Sequence, residues 1–227
     1  MSASTSSAVY HRIGDDPRAP GLTLAEAALI FTRRTSPRII AGLLTVFLVA
    51  RLVVGGLTGW DLLLVAALVG LHPMTEWVIH VGILHWRPRR VGPVTVDTLL
   101  ASEHRAHHER PHDERHWFIP VRSGLIGLGL AGVLALLLLP TAGLALTVLV
   151  VAHAIGLTYE WTHFLCHTSY RPKGRIFKRI WRHHRLHHFK NEHYWMGVTM
   201  HLGDRILHTR PDPKAVETSP TCRNLHG

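Results

Sequence analysis

The chain has 227 residues, with 25 Lys and Arg against 15 Asp and Glu (formal net charge +10) and 20 histidines. That length suits one compact unit, and two cysteines, Cys166 and Cys222, are too few for a disulfide framework or a Cys-based metal site, which fits a reducing compartment. The basic residues flank apolar runs rather than forming a stripe with interleaved aromatics, and no zinc-finger or helix-turn-helix spacing occurs, so the positive balance speaks for a membrane surface and against nucleic acid.

In chain order, residues 1–20 lack apolar periodicity and are expected to be disordered. They do not form a signal peptide, because the first long apolar run begins only near Ile39. Thr23 and Glu26 have capping-box spacing and predict a short helix over 23–34, either lying on the membrane surface or packed as an ordinary helix. Four apolar segments follow, at about 39–57, 62–80, 125–140 and 142–158. A bilayer core needs about 20 helical residues. The first, second and fourth segments reach that with their flanks, and the third does so if it begins near Val121. Arg51 in the first segment is costly in lipid, and either snorkels outward or faces a partner inside the bundle.

The turns 55–61 and 140–143 contain no Lys or Arg, whereas the N-terminal segment, the loop 86–122 and residues 170–227 carry nearly all of them. By the positive-inside rule, both termini and the middle loop are cytosolic. The expected fold is all-α: an integral membrane bundle of four transmembrane helices with a cytosolic, helical, histidine-rich cap. Residues 1–38 form an N-terminal segment, 39–209 the membrane domain with its metal centre, and 210–227 a C-terminal tail.

The histidines cluster at the cytosolic ends of these elements. His80 and His85 lie where the second span ends; His104, His107 and His108 form HxxHH in the middle loop; His163 and His167 form HxxxH at the end of the fourth span; His184, His187 and His188 form a second HxxHH. Residues at i, i+3 and i+4 share a helix face, so each HxxHH is expected to aim three imidazoles into one volume. His80 and His85 would be about 140° apart on an ideal helix, so one of them is expected past the helix end, near Pro88. Ten imidazoles exceed the coordination of one ion, and two ions with open positions fit better. Imidazole suits Fe, Zn, Cu and Ni; a structural zinc site would be closed by four ligands, usually with Cys.

The ordered set resembles the fatty acid hydroxylase and sterol desaturase superfamily of membrane di-iron proteins, over about residues 72–209. The matching elements are Glu76-Trp77 with His80 and His85; His104, His107 and His108 with Pro111, Asp113, Phe118 and Pro120; His163 and His167; and His184, His187 and His188 with Tyr194, Gly197-Val198 and Asp204. The resemblance implies two iron ions on these ten histidines (zinc being able to take their place in purified protein), with O₂ as co-substrate. It further implies hydroxylation of a fatty acyl chain or related membrane lipid, with desaturation or ketolation as variants on the same site. Electrons would come from a separate carrier, because the chain has no room for the haem domain fused to some relatives. His112, His116 and His193 stand near the clusters as additional ligands or outer groups. Glu76, Asp113, Glu160 and Asp204 could orient ligand imidazoles, Glu76 and Glu160 being the better candidates; Asp113 could instead cap a helix and Asp204 pair with Arg205. His153, inside the fourth span, is expected to pack rather than ligate. Neither the particular lipid nor the oligomeric state is indicated. The alternative is a membrane metal-binding or metal-transport protein, but transporters place their sites near the bilayer midplane, and here only His72 and His153 lie that deep.

Overall fold

The computed structural model describes residues 21–223 and 225, so the segment 1–20, expected to be disordered, lies outside the described residues. The first helix, α1 (Leu24–Phe31), starts at the expected capping box: the Glu26 N–H donates to the Thr23 hydroxyl at 3.2 Å, and the Thr23 N–H donates to the Glu26 carboxylate at 2.9 Å. One face of this helix packs on the protein. Ala27 and Phe31 join Trp117, Phe164 and Leu165 in a buried apolar cluster, with the Phe31 ring 5.0 Å from that of Trp161.

Four long apolar helices follow: α2 (Thr35–Val54), α3 (Gly59–Ile79, extended by a π-helical turn His80–Leu84), then, after the cap segment, α5 (Val121–Leu138) and α6 (Ala142–His167). All four are long and apolar enough to cross a membrane, and α5 begins at the residue expected from its length requirement. Their outward faces are bare hydrocarbon: Val53, Leu137 and Leu138 are 80%, 75% and 76% exposed, a surface that belongs in lipid rather than water. The chain is thus an integral membrane protein with a helical bundle, as its hydropathy pattern predicts.

Helices α2 and α6 run antiparallel. Ser36 donates to Glu160 at 2.6 Å near one end, the Phe47 and His153 rings lie 5.0 Å apart in the middle, and Arg51 donates to Thr147 at 2.9 Å near the other end. Arg51 therefore does not snorkel. Its guanidinium is buried and also pairs with Asp61 on α3 at 2.8 Å and with the Gly55 carbonyl at 2.6 Å. A buried cation without such partners would be untenable in lipid.

The cap is built from α4 (Leu99–Glu109), α7 (Arg175–Phe189) and the short α8 (Leu202–Ile206), with a small exposed hairpin, β1 (Arg89–Val91) and β2 (Val94–Val96), turning at Gly92. The hairpin is a minor departure from the expected all-α fold. Ala101, His104, His107 and His108 form the buried face of α4, and His183, His184, His187 and His188 that of α7. Helix α8 sits directly on α3: a Cβ on Gly203 would come within 2.5 Å of the Pro73 carbonyl oxygen. Described residues beyond 209 fold back onto the cap. The Ser219 N–H donates to the Lys190 carbonyl at the end of α7, and Leu225 is buried.

Candidate metal centre

The ten cluster histidines converge as two groups of five, within each of which the candidate ligand nitrogens lie within 4.8 Å of one another. The first comprises His80, His85, His104, His108 and His187; the second comprises His107, His163, His167, His184 and His188. Each HxxHH is therefore divided, contrary to the expectation of three rings in one volume. On α4 the i and i+4 residues, His104 and His108, go to the first group with ring centroids 4.7 Å apart, while His107 points to the second, 6.1 Å from His108. On α7 the division is reversed: His184 and His188 serve the second group and His187 the first. Helix geometry explains this. Positions i+3 and i+4 flank position i on opposite sides and are about 100° apart, so adjacent histidines face neighbouring volumes.

His80 and His85 meet through the π-helical turn. The His85 N–H donates to the His80 carbonyl at 3.0 Å, an i→i+5 bond, and the rings lie 4.9 Å apart. His85 stands just past the helix as its C-cap, where the sequence spacing places it. The wider turn brings onto one side two rings that an α-helix would hold apart.

Main-chain carbonyls orient the rings. His80 Nδ1 donates to the Met196 carbonyl (2.5 Å), His187 Nδ1 to Tyr194 (2.9 Å) and His108 Nδ1 to Cys222 (2.9 Å) in the first group. In the second, His163 Nδ1 donates to Trp117 (2.7 Å) and His167 Nδ1 to Pro111 (2.9 Å). A ring that commits its proton at Nδ1 presents a lone pair at Nε2, the form a metal requires.

The residues fit a pair of metal ions. Nε2 of His108, His163 and His187, both nitrogens of His107 and His188, and Nδ1 of His184 are buried without any hydrogen-bond partner. Each such atom costs about 1–3 kcal/mol unless something binds it. Nε2 of His80 lies 3.1 Å from Nε2 of His104, and Nε2 of His167 lies 2.8 Å from Nε2 of His184. Two nitrogens bonded at right angles to one ion at about 2.1 Å would be about 3.0 Å apart. Burial, reinforced by neighbouring imidazoles, holds His104, His107, His184, His187 and His188 well below the ordinary imidazole pKa, and burial pushes His108 down to about 3. All six are thus neutral donors at physiological pH.

The other candidate residues lie outside both groups. His116 pairs with Glu103 at 2.7 Å, His112 stacks on Phe189, and the exposed His193 ring lies 3.5 Å from Glu192. His153 packs against Phe47 and bonds the Leu149 carbonyl within its own helix. No carboxylate among the four candidates bonds a ring of either group. Glu76 accepts from the N–H groups of Val198 and Thr199 and from the Thr199 hydroxyl; Glu160 accepts from Ser36 and from the Ile119 N–H. Asp204 accepts from the N–H groups of Met196 and Gly197 and from His183, rather than pairing with Arg205. Asp113 caps the 3-10 turn Glu114–His116 and pairs with Arg115. Three of these carboxylates thus fix the loops whose carbonyls hold the rings, one step further out than expected. Sequence reasoning missed the carbonyls because any residue type supplies one. It also missed His183, which is buried on Asp204 and stacked on His201 at 4.0 Å. A cavity of about 250 Å³ opens beside the first group, with Trp77, Val81, Met196 and Leu225 as its apolar lining and His85, Arg87, Glu192, His193 and Thr209 as its polar lining.

The model of the fatty acid hydroxylase family matches residues 65–209. The chain is 29% identical over 144 residues to the dihydroceramide fatty acyl 2-hydroxylase FAH2 of Arabidopsis thaliana, a match covering 63% of this chain and 58% of that one. It is 29% identical over 136 residues to the fatty acid 2-hydroxylase of Mus musculus, covering 59% of this chain and 36% of the mouse protein. The match thus spans less than two thirds of the length of either relative. A solved structure of full-length scs7p, in which only the hydroxylase domain is visible, superposes with a TM-score of 0.63 at 19% identity, over 88% of this chain and 70% of that one; at that identity the likeness concerns the fold.

Proposed function

The chain belongs to the fatty acid hydroxylase family, and on that premise we propose that it is a membrane oxidoreductase whose ten clustered histidines hold two iron ions that use O₂ to hydroxylate a lipid acyl chain. The observation that carries this reading is the pair of five-histidine groups, buried at one end of four membrane-crossing helices. The bound iron pair would supply reductive activation of O₂ and hydrogen removal from an unactivated C–H bond. The overall balance is one C–H and O₂ with two electrons and two protons giving one C–OH and water, the electrons arriving from a separate one-electron carrier.

The protein's own contribution is positional. Neutral imidazoles fixed by main-chain carbonyls offer more nitrogens than two tetrahedral ions need, and histidine with no cysteine suits an open, reactive site better than a closed structural one. Nine of the ten rings are buried, which limits the access of water to the reacting centre. Trp77, Val81 and Met196 beside His85 give an acyl chain an apolar wall within reach of the first group. The N-terminal segment, the loop 86–122 and residues 170–227 carry nearly all Lys and Arg, which by the positive-inside rule supports a cytosolic location for both termini and the metal centre. We take the functional unit to be the membrane domain 39–209 together with the returning residues 219–223.

The test is metal analysis of protein purified in detergent under anaerobic ferrous conditions, with host lipids compared with and without expression. About two irons per chain and a new hydroxylated lipid are expected. A chain without iron and an unchanged lipid profile would overturn the proposal.

A further inference from the structure

The first histidine group leans on a part of the chain that lies beyond the residues matched by the family. All three carbonyls that orient its rings come from residues 194–222, and that of Cys222 falls outside the match over 65–209. His108 is fully buried, and its Nδ1 proton has the Cys222 carbonyl as its partner. That bond sets the ring's tautomer and directs Nε2, which has no other partner, into the group. Another buried carboxylate holds the segment in place: Glu192, 1% exposed, accepts from the hydroxyls of Ser219 and Thr221 through one oxygen. The Ser219 N–H donates to Lys190, tying the segment to the end of the helix that carries His187. Leu225, 2% exposed, lines the same cavity as His85. Among the described residues the second group has no such support, since its oriented rings take their carbonyls from Pro111 and Trp117.

We propose that residues 219–223 are a positioning element for the first metal group, with the Cys222 carbonyl holding His108 and Glu192 anchoring the segment. This rests on the two-metal reading above. The segment contributes no ligand; it fixes the orientation of one. Removing it leaves every candidate ligand in the chain and should weaken one of the two sites. Loss of an outer partner of this kind typically lowers metal affinity about 10–100-fold.

The experiment is cobalt(II) binding to the detergent-purified full chain, with affinities taken from chelator competition and the two sites told apart by their visible absorption. His163→Ala marks the second site. The wild type is expected to bind two cobalt ions, and a chain ending at Pro220 to keep the second site unchanged while the first weakens by at least about ten-fold. In the full-length chain, Ser219→Ala with Thr221→Val should weaken the first site by a smaller factor. Glu192→Ala should do the same, and Glu192→Gln, which keeps an acceptor oxygen, should restore it. If the shortened chain loses both sites together through unfolding, the full-length variants decide. Wild-type affinity at the first site in them, or equal weakening of both sites, overturns the proposal. A wild-type chain that binds no cobalt overturns the two-metal reading itself, and this inference with it.

Discussion

The two histidine groups draw on the same two cap helices in mirror fashion, yet they are held in different ways. Each takes two rings from one HxxHH and one from the other, plus a pair from the end of a membrane-crossing helix. The first group gets its pair from a π-helical turn and its orienting carbonyls from the loop at 194–196 and from Cys222. The second gets its pair from the last turn of α6 and its carbonyls from the loop at 111–117, adjoining the start of α5. The second is therefore braced by the loop that leads into α5, and the first by the loop before α8 together with one carbonyl, that of Cys222, from residues that fold back after the last helix. Equivalent ligand sets can thus rest on different scaffolds, because a ring's orientation depends on the loop that receives its other nitrogen.

The largest expected effect comes from removing that equivalence at its root. His107→Ala with His108→Ala takes one ring from each group, and metal content and lipid oxidation should both be lost while membrane insertion persists. Metal analysis and a fractionation blot read this directly, and unchanged metal content would break the assignment of these rings. At the far end of the bundle, Asp61→Ala leaves the Arg51 guanidinium buried without its carboxylate and should cost about 3 kcal/mol or more in stability, measured as thermal unfolding in detergent. Both metal sites in the folded fraction should be unaffected, since neither scaffold includes that pair.

Acid should act next. The buried cap histidines titrate lower in the folded chain than in the unfolded one, where imidazole titrates at about 6.5. Below that pH the unfolded chain takes up protons that the folded chain refuses. The stability of the metal-free protein should therefore be greatest above about pH 6.5 and fall steadily as the pH drops toward the folded value of about 3 for His108. Unfolding midpoints across that range test the sign, and bound metal should flatten the curve by holding the neutral rings. The finest test separates the two scaffolds. Asp204→Ala frees the N–H groups of Met196 and Gly197 and should weaken the first site about ten-fold. Glu160→Ala frees the Ile119 N–H near the loop that serves the second and should weaken that site instead. The same site responding to both would erase the distinction between the scaffolds.

The sequence alone determined the bundle of four membrane-crossing helices, because crossing a membrane demands about 20 apolar residues per helix and leaves a record in composition. It also marked the ten histidines that converge, since imidazoles at helical spacing beside membrane ends have few other uses. Tertiary structure decided what no local pattern encodes. It paired Arg51 with Asp61 and Thr147, residues 10 and 96 positions away. It divided each HxxHH between two groups, since which volume a ring enters depends on what faces its helix. Most of all, it chose the carbonyls of Pro111, Trp117, Tyr194, Met196 and Cys222 as ring partners. Every residue carries a carbonyl, so only the path of the chain through space can say which ones a histidine will meet.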